Sequence, residues 1–359
     1  MPSTTNPLIF DGHNDTLLDL CLPQRGNQRS FFEQSPHGHI DLPRAQAGGF
    51  GGGFFAIFVP SPRQAEDNVS PTIGASKDVT GYKTPLPAPL EQPYALNFTM
   101  TMAAKLFEVE AKSNGQFKVV RTADELANCL EQGIVAAILH FEGVEAIDTD
   151  LNALHVFYQA GLRSVGIVWS RPNAFASGVP FNFPATPDIG PGLTAAGKAL
   201  VKECNQLGIM IDLSHLNERG FWDVAELSNA PLVATHSNVH ALCASPRNLT
   251  DQQLDAVRQS GGVVGVNFHI GFLRTDGRSD TETSVSEIAR HAAYMADQMG
   301  IDHVALGSDF DGATMPHDLR DVAGLPKLVT ALREQGFDAP SLKKIAHENW
   351  LRVLRRTWK

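Results

Sequence analysis

Leu8-Ile9-Phe10-Asp11-Gly12-His13-Asn14-Asp15 holds in eight residues the unit from which the fold is read. The apolar run Leu8-Ile9-Phe10 reads as a β-strand. Side chains alternate along a strand, so His13 and Asp15 are expected on one face at its end. An imidazole and a carboxylate placed in this way can grip a divalent cation. Taken alone, such a pair reads more readily as loop hydrogen bonding. What decides is whether the unit recurs and whether distant residues supply further ligands.

It does recur. Apolar runs of strand length lie at 8–12, 53–59, 134–140, 163–169, 208–213, 231–235, 262–267 and 302–307. Helical periodicity separates most of them, at 94–113, 123–132, 150–160, 194–207, 217–228, 250–259, 284–299 and 318–335, and helices at 340–346 and 347–357 close the chain. Only 16–50, between the first two runs, shows no obvious long helix. Buried parallel strands read as near-continuous apolar runs, as these do. Eight such units predict an α/β fold, a (β/α)8 TIM barrel of metal-dependent hydrolase type, with a doubly wound open sheet as the alternative. No repeat or polar linker divides residues 1–359, which read as one barrel domain. Segment 60–93 is rich in Pro and Ser, lacks periodicity, and is expected to form a lid or excursion loop.

The chain has 359 residues, 43% of them hydrophobic and 19% charged, enough for a sizeable core. Its formal net charge of −10 and the lack of any Lys/Arg-rich run argue against a nucleic-acid partner. No apolar stretch reaches the length of a membrane span, and the N-terminus has no signal-peptide pattern. Cys21, Cys129, Cys204 and Cys243 are scattered and read as free thiols in a reducing compartment. A cytoplasmic protein is expected.

A barrel places its chemistry at the C-terminal ends of several strands. Just past the runs stand His13 and Asp15, Glu142, Trp169, His215, His236, His269, and Asp309 with Asp311. Histidine accounts for only 13 residues of the chain, so this clustering at one register points to a metal site. His13, Asp15, Glu142, His215 and His236 offer three imidazoles and two carboxylates, which suits two ions better than one, since a carboxylate can bridge. Nitrogen and oxygen donors without thiolate favour Zn²⁺, with Mn²⁺ or Co²⁺ as alternatives. Asp309 is placed to accept a proton from a metal-activated water.

The motifs Asp11-Gly12-His13-Asn14-Asp15, Phe141-Glu142-Gly143, Asp212-Leu213-Ser214-His215, Thr235-His236-Ser237, Cys243-Ala244-Ser245-Pro246-Arg247-Asn248, Val266-Asn267-Phe268 and Gly307-Ser308-Asp309-Phe310-Asp311-Gly312 together resemble the membrane dipeptidase (renal dipeptidase) family, the M19 metallopeptidases. They run in family order along nearly the whole chain. The resemblance implies a (β/α)8 barrel with a dinuclear zinc centre. In it, His13 and Asp15 bind one ion, His215 and His236 the other, and Glu142 bridges them. It implies that Asp309 handles protons and meets the substrate amine, and that Arg247 binds the substrate carboxylate. The expected activity is hydrolysis of free dipeptides, L-D pairs included, by a hydroxide held between the ions. The expected partner is a small dipeptide, with no nucleic acid and no membrane, and with a homodimer left open. Two positions depart from the animal enzymes. Trp169 stands where a histidine helps polarise the scissile carbonyl, and His269 stands where a tyrosine lies beside the substrate carboxylate. The missing secretory and anchor signals resemble the bacterial cytoplasmic branch. Alternatives are another metal-assisted hydrolase on this barrel (an N-acyl-amino-acid amidase, a lactamase or lactonase, a deaminase) and a metal-retaining peptide-binding protein.

Overall fold

A computed structural model describes residues 6–26, 28–62 and 81–359. Eight parallel strands follow one another around a barrel: β1 (Ile9–Asn14), β2 (Phe50–Phe58), β3 (Val135–Glu142), β4 (Leu162–Gly166), β5 (Met210–Asp212), β6 (Val233–Ala234), β7 (Val263–Val266) and β8 (Val304–Leu306). The ring closes between β8 and β1 only at their C-terminal ends. There the Asp309 amide donates to the His13 carbonyl at 2.9 Å and the Asp15 amide to the Phe310 carbonyl at 2.8 Å.

All eight expected runs are strands, and helices lie between them. The helix Ala123–Gln132 begins at Thr122, whose side chain accepts from the Glu125 amide, and ends at Gly133 in the left-handed region. Asp251–Ser260 starts with a full capping box between Thr250 and Gln253. Segment 16–50 carries three short helices, Thr16–Cys21, Pro23–Gly26 and Leu42–Gly48, in place of one long one. The helix expected over 318–335 is shorter, Leu325–Glu334, because the Asp318 side chain is taken by Ser284 and Val285 and Asp321 caps a 3-10 turn at Val322–Gly324. A further strand, Phe117–Val119, pairs with the first half of β3, where β4 has not yet begun. Of the expected excursion 60–93, residues 63–80 lie outside the described residues. Its far end, Tyr82–Lys83, pairs antiparallel with Asn182–Phe183 in the loop after β4.

Two apolar layers result. Ile9, Phe55, Ile57 and Leu139 face outward into the helices. Phe10, Phe54, Ile138, Met210, Val233, Val263 and Ala305 fill the barrel, together with Trp350 of the C-terminal helix Asn349–Thr357. Trp350 is fully buried, and its indole N–H donates to the Leu306 carbonyl at 3.3 Å. Burying an indole of this kind contributes on the order of 4–6 kcal/mol before entropy is counted. Gly12 belongs to this layer. A Cβ there would lie 2.7 Å from the Trp350 ring and closer still to the Thr235 carbonyl. Only glycine fits at that position of the opening motif.

Candidate metal centre and substrate cleft

The opening motif reaches its geometry by a route simple alternation does not describe. The register of β1 against β2 shifts between Asp11 and Asn14, and the strand ends before Asp15. Asp15 is the N-cap of Thr16–Cys21, but its side chain caps nothing. Its carboxylate turns back to His13 instead, with Oδ2 3.6 Å from His13 Nε2. Glu142 is the last residue of β3, and His215 and His236 follow β5 and β6. His215 and Asp309 both adopt positive φ, 68° and 62°. Such a backbone is costly for a residue with a side chain and collects at functional sites.

These elements bring all five expected ligands together. Glu142 Oε1 lies 2.9 Å from His215 Nε2 and 3.6 Å from His236 Nε2, while Oε2 lies 3.8 Å from His13 Nε2. One carboxylate oxygen therefore faces each half of the cluster. Ligand atoms of His13, Glu142 and His236 lie within 4.8 Å of one another, as do those of His13, Asp15 and Asp309.

Several features fit the group to divalent cations. The His13 ring is fully buried, yet neither of its nitrogens has a hydrogen-bond partner, and Asp15 Oδ1 has none either. Buried polar atoms left in this way are uncommon, and a bound cation would satisfy those that carry a lone pair. His215 Nε2 and His236 Nε2 face each other at 3.1 Å. Burial holds both rings well below the ordinary histidine range, so each is neutral and carries one lone pair to offer a cation. At that separation both nitrogens can bind one cation, or one ring can donate its Nε2–H to the other. Burial likewise raises the Glu142 and Asp15 carboxyls. Burial opposes charge on His13 too, but Glu142 and Asp15 outweigh it and hold its pKa at about 10. Without a cation the cluster retains protons; a divalent ion can take their place.

These candidate ligands are themselves held from behind. Ser170 Oγ is 2.8 Å from His215 Nδ1, and Thr235 Oγ1 is 2.8 Å from His236 Nδ1. Asn267 donates to Asp309 Oδ2 at 2.9 Å. Asp11 accepts from both the amide and the hydroxyl of Ser308, which ties β1 to the end of β8. Asp311 turns away from the cluster, accepting from Thr16 Oγ1 at 2.8 Å and from Arg29 at 3.1 Å. Gly312 has no room for a side chain: a Cβ there would lie 2.6 Å from Asp309 Oδ1 and nearer still to Asp15 Oδ2.

A cleft enclosing about 480 Å³, partly open to solvent, adjoins the cluster. Asp15, Glu142, His215, Asp309 and Gly312 form its polar side, Leu18, Phe58, Trp169, Phe181 and Phe272 its apolar side, and Arg25 lies at its edge. The Trp169 ring packs 4.9 Å from Phe58 and 5.5 Å from Phe181, and the buried Arg171 guanidinium lies 5.1 Å over it. Arg247 and His269 are set back from the cleft wall, both packed on Phe272 at 5.4 and 4.7 Å. Arg247 Nη2 donates to the His236 carbonyl at 3.0 Å, while Nε has no partner. Burial lowers the Arg247 pKa to about 10 against the pull of Asp309 and Glu142, so it stays charged at neutral pH. His269 Nε2 is likewise unpartnered.

Sequence reasoning missed the cleft's other walls. Phe58 is the last residue of β2, and the same strand-end register would have found it. Phe181 sits in a loop and Phe272 ends the short 3-10 turn Ile270–Phe272, neither of which shows periodicity. Arg25 and Leu18 lie in the segment where no long helix was legible.

Comparison with known proteins shows the family. Residues 4–359 match the model of the membrane dipeptidase family, peptidase family M19. A metallopeptidase from Rhodobacter sphaeroides, solved with a phosphinate mimic of the dipeptide L-Ala-D-Ala, is similar with a TM-score of 0.93 and 50% identity over 99% of this chain and 100% of that one. A dipeptidase of the same family is similar with a TM-score of 0.92 and 51% identity, covering 99% of each chain. "Dipeptidase tcpJ" of Claviceps purpurea is 28% identical over 96% of this chain and 76% of its own length. An uncharacterized protein encoded near pqqA in Klebsiella pneumoniae is 52% identical over 71% of this chain and 94% of its own length. From the strand-end cluster to the whole-chain match, the observations agree: the chain is a metallo-dipeptidase of the membrane dipeptidase family, M19.

Proposed function

We propose that the protein hydrolyses free dipeptides, L-D pairs such as L-Ala-D-Ala among them, with two zinc ions held by His13 and Asp15 on one side and His215 and His236 on the other, bridged by Glu142. The observation that carries this reading is Glu142 itself, with one oxygen turned to each half of a buried cluster in which both nitrogens of His13 lack a hydrogen-bond partner. The donor set, nitrogen and oxygen without thiolate, favours zinc over harder ions. Bound divalent ions supply Lewis-acid polarisation of the scissile carbonyl and lower the pKa of water.

The chain's own residues do the rest. Asn267 fixes Asp309 through Oδ2, which leaves Oδ1 to take the proton of the attacking water. Water oxygen bonds to the carbonyl carbon, the C–N bond breaks, and Asp309 delivers the proton to the departing amine. Arg247, charged and only partly hydrogen-bonded, receives the substrate's C-terminal carboxylate, with His269 beside it. Binding both termini, at Asp309 and Arg247, restricts the substrate to two residues. Trp169 acts as an apolar wall with Phe58 and Phe181, and suits uncharged side chains. We read residues 1–359 as one domain acting in the cytoplasm; no helix among the described residues is long and apolar enough to cross a membrane.

The test is a dipeptide library that includes L-D, N-acetylated and C-amidated members, run with metal analysis on the same sample. Turnover of free dipeptides at two zinc ions per chain is expected. Preferred turnover of N-acetylated substrates would move the assignment to an amidase, and metal retention without turnover would overturn the enzymatic reading.

A further inference from the structure

We infer that Asp212, acting through the Thr235 hydroxyl, is a positioning residue that fixes His236 in the Nδ1–H tautomer and so aims its Nε2 lone pair into the metal centre. The inference rests on the proposed role of His236 as a ligand, but its test is separable from that role.

Each proton in the chain has one place to go. Asp212 is buried at the end of β5. Its Oδ1 accepts from the Ser214 amide at 3.0 Å and the Thr235 amide at 2.8 Å. Amides can only donate, so Oδ1 can only accept. Its Oδ2 lies 2.6 Å from Thr235 Oγ1. A carboxylate has no proton to give, so the one hydroxyl proton of Thr235 goes to Oδ2. What remains on Thr235 Oγ1 is a lone pair, 2.8 Å from His236 Nδ1. That lone pair requires a proton on Nδ1. In a neutral ring the other nitrogen is then bare, and it is Nε2 that faces Glu142 and His215. His215 has no such chain behind it. Ser170 Oγ meets its Nδ1 at 2.8 Å, but no carboxylate fixes the direction of that hydroxyl among the described residues. The two histidines are therefore held unequally, His236 in a set tautomer and His215 by a reversible bond. Outer partners of this kind typically change metal affinity 10–100-fold when removed.

The decisive variant is Asp212→Asn. Its carbonyl oxygen can still accept from Ser214 and Thr235, while its amide group would face Thr235 Oγ1 and donate to it. The hydroxyl would then have to turn and donate to His236 Nδ1, moving the ring proton to Nε2. Long-range ¹H–¹⁵N correlation on ¹⁵N-histidine-labelled, chelator-treated protein reads the tautomer without any metal. The expected result is Nδ1–H in the wild type and in Thr235→Ser, Nε2–H in Asp212→Asn, and a mixture in Thr235→Val. Zinc competition against a chromophoric chelator should then show a 10–100-fold loss in Asp212→Asn and Thr235→Val and less than threefold in Thr235→Ser. An Nε2–H ring in the wild type, or an unchanged tautomer in Asp212→Asn, overturns the inference; if Asp212→Asn does not fold, an unchanged tautomer in Thr235→Val does so. The expected tautomers with no zinc binding at all would overturn the ligand assignment and leave the relay standing.

Discussion

His291 offers the sharpest test of how the fold supports the site. It lies on the helix Ser286–Met299, fully buried, and joins two loops of the catalytic face. Its Nδ1 accepts from the Val239 amide at 3.1 Å, three residues after His236, and its Nε2 donates to the Leu273 carbonyl at 2.9 Å, next to cleft-lining Phe272. Both bonds suit the neutral ring. A second proton would point Nδ1–H at an N–H donor, in a place closed to bulk solvent. Burial thus lowers its pKa from 6.5 to about 4. Between these two values the unfolded chain binds the proton and the folded one does not, so stability falls as pH drops from about 6.5 toward 4. At pH 4 the loss reaches about 3 kcal/mol, at about 1.36 kcal/mol for every pH unit separating the folded and unfolded pKa, less a small correction because the folded ring is by then partly protonated. Other buried groups titrate in the same range, so the measurement is a difference. His291→Gln can accept at Oε1 and donate at Nε2, but cannot charge. Urea midpoints for both proteins at pH 7 and pH 4 should show the gap between them move by about 3 kcal/mol in favour of the variant. A gap that does not change with pH would refute this account of His291.

Three further outcomes are expected. Gly12→Ala should lose about 3 kcal/mol in urea unfolding, the upper end for overpacking, because the nearest obstacle is the Thr235 backbone; an unchanged midpoint would disprove the packing of the opening motif. Arg247→Ala should raise KM for free dipeptides about 10–150-fold, the worth of a charge-assisted hydrogen bond, and leave C-amidated dipeptides unaffected; an equal effect on both would rule out carboxylate binding. Asp309→Asn should keep its metal content and lose about 10²–10⁴ in kcat, and loss of metal in that variant would sink its role as proton carrier.

How far the site was legible follows from where each residue gets its position. A residue at a strand end inherits its place from a periodic run, and periodicity is visible in one sequence. His13, Glu142, His215, His236 and Asp309 are of this kind, and each sits at the top of a strand that its own neighbours announce. Even here the local rule was only partly right. Asp15 meets His13 because β1 shifts register and ends before it, not because alternation continues. Phe181 and Phe272 owe their positions to loops, and Arg25 owes its own to Asp19 and to the Asp311 carbonyl, which follows the last strand. Such contacts have no signature in spacing, since the partner of Arg25 lies 286 residues away. The Asp212–Thr235 relay lies between these cases. Both residues stand in recognisable strand-end motifs, yet only the 2.6 Å contact between their side chains shows that one motif orients the ligand of the other. Sequence thus marks which residues reach the proposed metal centre. The direction in which each presents its lone pairs is set by neighbours on adjacent strands, and that is the information the folded barrel adds.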